Sequence, residues 1–201
     1  RLRVVPLGVE SAEVDPERAA ALRANWGLKD PFVLWVGTAE PRKNLTGLVE
    51  AMLRLPEVPL VVVGPTGWNA DPEAVLQPLG NRVHRIGPVN ELDKQAWYAA
   101  ADVFCYPSFL EGFGLPVAEA MARGTPVVTA AGTATEEVVA GAGLVVDPSD
   151  SEAIAGAVVS VLEDQGLAAR LAEAGLRRAA ELTWQTAAQA TTEVYQEVLG
   201  R

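Results

Sequence analysis

Apolar residues fall in short unbroken runs, and longer stretches with helical spacing separate them. The runs are "PFVLWVG" (31–37), "PLVVVG" (59–64), "RVHRIG" (82–87), "DVFCYP" (102–107), "PVVTA" (126–130) and "GLVVD" (143–147). Strands that alternate apolar and polar residues have one wet face, whereas near-continuous apolar runs suit strands covered on both faces. Gly37, Gly64 and Gly87 close the first three. The intervening stretches predict helices near 15–25, 45–55, 71–79, 91–101, 116–123 and 134–140. Asp15, Asn44 and Asp71 stand where N-caps belong, and Pro16 and Pro72 where first helical residues belong. Residues 150–199 are Ala-rich and predict two or three helices without strands, with breaks at Gly166 and Thr183.

Strands alternating with helices imply a parallel sheet with right-handed crossovers. The expected fold is α/β: a doubly wound, parallel, six-stranded Rossmann-like sheet with extra C-terminal helices. Residues 1–14 are the one linker candidate. In the order 3-2-1-4-5-6, ligands bind beyond the C-terminal ends of strands 1 and 4. Those ends lead into "TAEPRKN" and "SFLEGFG", so the two most unusual loops should share one crevice.

The first loop places Arg42 and Lys43 just before a helix start at Asn44. Cations beside the free amides of a helix N-terminus suit phosphate. In the second, Gly112 and Gly114 allow close backbone approach, and Pro116 suits the first helical turn, leaving the amides around Leu115 and Val117 free. Glu111 precedes this helix and Glu119 lies one turn into it. A carboxylate accepts hydrogen bonds and repels anions, so each suits a hydroxyl partner. Hydroxyls on either side of phosphates describe a nucleotide sugar. The plainer readings are a solvated Arg-Lys pair and a helix start decorated with favourable acids.

Composition narrows the field. Of 201 residues, 26 are acidic and 16 basic, for a net charge of −10, which disfavours nucleic acid as a partner. No apolar run reaches the ~18 residues of a membrane span. The single cysteine, Cys105, sits in an apolar run and reads as a buried strand residue in a reducing compartment. "GTAEPRKN" lacks the second glycine of a dinucleotide fingerprint, and no P-loop is present. There is no D-x-D, and one histidine, His84, cannot build a His-rich metal centre. His84 reads as structural, with contact to a base as the alternative. "GAG" at 141–143 reads as a turn. The chain opens on Arg1 without an initiator Met, as expected of a piece of a longer protein.

Residues 106–128, "YPSFLEGFGLPVAEAMARGTPVV", resemble the E-x7-E signature of family 4 retaining glycosyltransferases (glycosyl transferases group 1), with Glu111 and Glu119 at its ends. "VGTAEPRKNLTGLVEA" (36–51) resembles the family's phosphate loop. "VVPLGVE" (4–10) resembles its hinge, and "EEVVAGAGLVVDPSD" (136–150) the segment after the signature.

The resemblance implies the C-terminal, donor-binding half of a two-domain GT-B enzyme, with 1–14 as hinge and 150–201 as its helical part. The N-terminal acceptor domain would be absent from this chain. It further implies catalytic roles for Glu111, Lys43 and Arg42. Lys43, helped by Arg42, would neutralise the diphosphate beside Gly37 and Thr38. Amides of Gly112, Phe113, Gly114 and Leu115 would cradle it. Glu111 would hold the sugar, Glu119 the ribose, and Pro88 and Val89 the base. No cofactor or metal is expected. The expected partners are a UDP- or GDP-linked sugar, the N-terminal domain, and an acceptor glycan or lipid. The expected location is the cytoplasm, with any contact at the inner face of the plasma membrane made by the N-terminal domain. The isolated domain should bind donor and transfer little.

Two positions depart from the family pattern: Thr38 where Arg is common, and Glu136 where Pro is common. The "GTAEPRKN" variant leans toward mannosyl- or rhamnosyl-type transfer in surface polysaccharide or glycolipid synthesis. The competing readings are a non-catalytic nucleotide-sugar-binding domain, a sugar-nucleotide epimerase, and a glycogen or starch synthase.

Overall fold

The computed structural model describes residues 2–10, 14–67 and 71–200. The ends of the linker candidate therefore fall partly outside the described residues, at Arg1 and at 11–13.

The chain runs α1 (Pro16–Asn25), β1 (Val33–Val36), α2 (Leu45–Met52), β2 (Leu60–Val63), α3 (Pro72–Leu76), β3 (Val83–Gly87), α4 (Glu91–Ala100) and β4 (Val103–Tyr106). It continues through α5 (Leu115–Ala122), β5 (Val127–Ala130), α6 (Ala134–Val139), β6 (Leu144–Val146), α7 (Ser151–Glu163), α8 (Gln165–Glu181) and α9 (Trp184–Leu199). All strand pairings are parallel, in the order β3-β2-β1-β4-β5-β6. This is the expected six-stranded, doubly wound α/β sheet.

The continuous apolar runs have the predicted cause. Every residue of β1, β2, β4 and β5 is buried, because helices cover both faces. Phe104 stacks on Tyr106 at 5.7 Å and meets Tyr98 edge-on at 5.3 Å, which locks α4 against β4. β3 at one edge is only half-buried and carries the more polar run "VHRIG".

The predicted caps form. Asp15 accepts from the Glu17 amide at 2.9 Å, Asn44 from Gly47 at 3.1 Å and Asp71 from Ala74 at 3.1 Å. Three boundaries differ from the sequence expectation. The helix expected near 45–55 ends at Met52. The helix predicted over 71–79 gives way after Leu76 to a 3-10 stretch, Gln77–Arg82, where Gly80 adopts φ +58°. The break expected at Gly166 lies at Asp164 instead, whose carboxylate accepts from the Leu167 amide at 2.9 Å and starts α8 one residue before the glycine. Thr183 does separate α8 from α9, as its N-cap.

Candidate functional site

The parallel sheet brings the β1, β2, β3 and β4 loops to one end. Gly64 must be glycine there. Its φ is +131°, and a Cβ would lie 2.0 Å from the Gly37 carbonyl oxygen. After β1 the chain makes a 3-10 turn, Pro41–Lys43, and reverses at Asn44 in a left-handed conformation (φ 55°). The Asn44 amide donates to the carbonyls of Pro107 at 3.0 Å and Pro148 at 2.6 Å. The Arg42 carbonyl accepts from the Phe109 amide at 2.8 Å and the Ser108 hydroxyl at 2.9 Å. The two loops that the sequence places on one crevice are thus hydrogen-bonded into one unit.

Lys43 is the unusual member. Its residue is 9% exposed, and its ammonium makes no ion pair or hydrogen bond with a described residue. It lies over Gly37, where a Cβ would come within 2.9 Å of Nζ. Burial lowers its pKa, while the field of Glu111 opposes the shift. A buried cation without a counter-ion costs stability unless an anion joins it.

Arg42, its neighbour, is arranged differently. Its Nε donates to Glu40 Oε2 at 2.8 Å, and its Nη1 meets Glu111 Oε1 and the Leu110 carbonyl, each at 3.0 Å. Burial works against its charge, but the bonds to Glu111 and Glu40 outweigh burial and leave its pKa raised.

The two glutamates are held in contrasting ways. Glu111, with a side chain 10% exposed, accepts two hydrogen bonds on Oε1, from Tyr106 Oη at 2.8 Å and Ser108 Oγ at 3.0 Å, and the same oxygen forms an ion pair with Arg42 Nη1 at 3.0 Å. Its Oε2 meets no described donor. Glu119, 16% exposed, divides its contacts: Lys94 Nζ lies 2.9 Å from Oε1, and Tyr98 Oη donates to Oε2 at 2.8 Å. Burial raises the pKa of both tyrosines, and the adjacent carboxylates push in the same direction, so the phenols stay as donors.

Between the glutamates, α5 begins at Gly114 with φ +102° and no side-chain cap. A Cβ there would lie 2.6 Å from Thr135 Cγ2. The amides of residues 112–115 donate to no described group. The expectation of a free amide at Val117 is not met, because that N–H turns back to the Gly114 carbonyl at 2.9 Å.

Two cavities open at this end. The larger, about 610 Å³, is lined by Lys43, Tyr106, Glu111 and the 112–115 loop, with residues 4–7 across from them. The smaller, about 270 Å³, is lined by Gly37, Thr38, Pro88, Val89, Lys94 and Glu119. Lys43 and Pro116 line both. The sequence-predicted site residues therefore come together, each on one cavity wall or the other, except Arg42, which lines neither. Sequence reasoning missed Lys94, Tyr98, Tyr106 and Ser108.

His84 lies within β3, edge-on to Trp26 at 6.2 Å, and lines neither cavity; burial lowers its pKa. Cys105 is fully buried in β4, as expected. Among the described residues no group of three His, Cys, Asp or Glu could hold a metal ion.

The profile of the glycosyl transferases group 1 family matches residues 20–178. The chain belongs to that family. O-antigen chain mannosyltransferase B of Escherichia coli is 40% identical over 172 residues, covering 82% of this chain and 45% of the relative. Sucrose-phosphate synthase of Thermosynechococcus elongatus superposes with a TM-score of 0.86 at 31% identity, over 98% of this chain and 53% of that one. HepE of Anabaena, solved with UDP and glucose, superposes with a TM-score of 0.88 at 25% identity, over 97% and 57%. This group 1 glycosyltransferase chain thus spans about half the length of the relatives it matches. No described helix is long and apolar enough to cross a membrane.

Proposed function

We propose that this chain is the donor-binding half of a retaining, GT-B-type hexosyltransferase, and that its crevice takes a nucleoside-diphosphate sugar. One observation carries the reading: Lys43 is a buried residue whose ammonium pairs with no described carboxylate, and it lines both cavities. A diphosphate there would join Lys43 and the open amides of 112–115. The sugar would then occupy the larger cavity beside Glu111. The nucleoside would occupy the smaller one, with ribose at Glu119 and base at Pro88 and Val89. The UDP and glucose bound to HepE support such a ligand, and the mannosyltransferase name of the E. coli relative favours a mannosyl-type donor.

Group transfer places negative charge on the leaving diphosphate. Lys43 and amides fixed by the fold would stabilise that charge without reorganising, so no metal ion is required in this scheme. An N-terminal domain would supply most of the acceptor site, so this half alone should bind donor and transfer little. The partners are the donor, that domain, and an acceptor glycan or lipid.

Calorimetric titration with UDP, GDP, ADP and NAD, with and without EDTA, tests this. One nucleoside diphosphate should bind, EDTA should not matter, and NAD should not bind. Failure of all three nucleoside diphosphates to bind would remove the reading.

A further inference from the structure

Arg42 and Lys43 are adjacent in sequence and look like one cationic unit. Their surroundings separate them. Lys43 lines the crevice and makes no ion pair with a described residue. Arg42 faces neither cavity and stands between two carboxylates, Glu40 at 2.8 Å and Glu111 at 3.0 Å. Those three groups together carry one net negative charge. An incoming diphosphate gains nothing by approaching such a cluster, and drawing the guanidinium out would break the ion pair it makes with Glu111.

The contacts on Glu111 show what Arg42 does instead. Tyr106, Ser108 and Arg42 all converge on Oε1. Each holds the same oxygen, so the carboxylate plane is fixed and Oε1 has no capacity left. Oε2 remains without a described donor, on a side chain that is nine-tenths buried and lines the larger cavity. Oε2 therefore opens onto the cavity with its acceptor capacity available to a ligand donor. Two donors thus anchor Glu111 from its own segment, β4 and the loop after it, and the third reaches across from the β1 loop.

Resting on the donor-site reading above, we propose that Arg42 and Tyr106 are positioning residues for Glu111 and that Arg42 is not a diphosphate ligand. They set one oxygen of Glu111 as the acceptor for a hydroxyl of the transferred sugar. The site therefore favours a neutral, hydroxyl-bearing sugar over an acidic one, whose carboxylate would face an acceptor-only oxygen.

The test separates nucleotide affinity from the increment the sugar adds. UDP and UDP-glucose, or GDP and GDP-mannose, are titrated into the protein and its Arg42→Gln, Tyr106→Phe and Lys43→Met variants. For Arg42→Gln and Tyr106→Phe, affinity for the bare nucleotide should stay within about twofold, while the sugar increment falls by about tenfold, the scale of one hydrogen bond to a charged group. Lys43→Met should weaken nucleotide and nucleotide sugar alike. UDP-glucuronate should gain nothing over UDP.

A merely structural role for Tyr106 would move both affinities together; Tyr106→Phe keeps the ring stacked on Phe104, so this outcome is readable. If Arg42→Gln weakens bare nucleotide as much as Lys43→Met does, Arg42 is a phosphate ligand and the inference falls while the donor-site reading stands. If the sugar adds nothing in the unaltered protein, Glu111 holds no sugar and the inference falls again. If no nucleotide binds, both fall.

Discussion

The side-chain amide of Asn44 donates to the carbonyl of Pro107 at 3.0 Å and to that of Pro148 at 2.6 Å. One residue on the β1 loop therefore holds the β4 loop and the segment after β6, and its Oδ1 caps α2 as well. Asn44→Ala removes a cap and strands two carbonyls. It also puts alanine at φ 55°. Loss of about 3 kcal/mol is expected, read as a lower urea midpoint. Nucleotide affinity should fall too, because the two loops are no longer joined.

Lys43 should trade stability for binding. Its pKa is lowered in the fold by burial, so the folded chain holds its proton less tightly than the unfolded chain. The resulting penalty is fully present below the lowered folded value and is relieved as pH rises toward the ordinary lysine value. Lys43→Met should therefore raise the thermal midpoint at neutral pH while weakening nucleoside-diphosphate binding by ~1–3 kcal/mol. In the unaltered protein, affinity should begin to decline at a pH below the ordinary lysine range. A variant that is both less stable and unimpaired in binding would contradict this account of the residue.

Glu119 presents both oxygens, each already holding one internal donor, from Lys94 and Tyr98. That leaves room on each for one more, the pattern of two neighbouring ribose hydroxyls. Lys94→Met should reduce affinity for a ribonucleoside diphosphate by about tenfold. It should reduce affinity for the 2′-deoxy analogue less. Equal losses for the two ligands in a titration would show that Lys94 acts elsewhere.

Gly64→Ala should unfold or severely destabilise the chain, since the added methyl would meet the Gly37 carbonyl, a backbone atom with little freedom to retreat. Circular dichroism melting is sufficient to see it. Gly112→Ala, where a Cβ meets nothing within 4 Å, should melt close to the unaltered protein.

Cys105 should be inert in the native state. Burial raises the pKa of its thiol and denies reagent access. Ellman's reagent should react only after denaturant unfolds the chain; native labelling would mean that β4 opens.

The sheet was legible because burial on both faces leaves a plain mark, the unbroken apolar run. The site loops were legible through residue types that a strand end or helix start uses sparingly: paired cations, paired glycines, flanking acids. What escaped was tertiary. Lys94 and Tyr98 lie 25 and 21 residues before Glu119 and meet it only because α4 packs beside α5. Tyr106 and Ser108 stand inside the quoted signature but read as a strand residue and a loop residue, because nothing local shows that their hydroxyls turn toward Glu111. Arg42 and Lys43 look equivalent in sequence, and only the ion pairs of Arg42 with Glu40 and Glu111 and the cavity walls distinguish them. The misplaced break at Gly166 has a local cause: Asp164 offers a cap two residues earlier, and the cap decided.

All six strands run the same way, so the crevice loops gather at one end and the residues entering the strands gather at the other. Pro31, Asp102 and Pro126 lie at that second end. A surface-attachment tag or fluorescent label placed at the exposed Pro31 would leave the crevice open to solution, so the chain can be immobilised without blocking its loops.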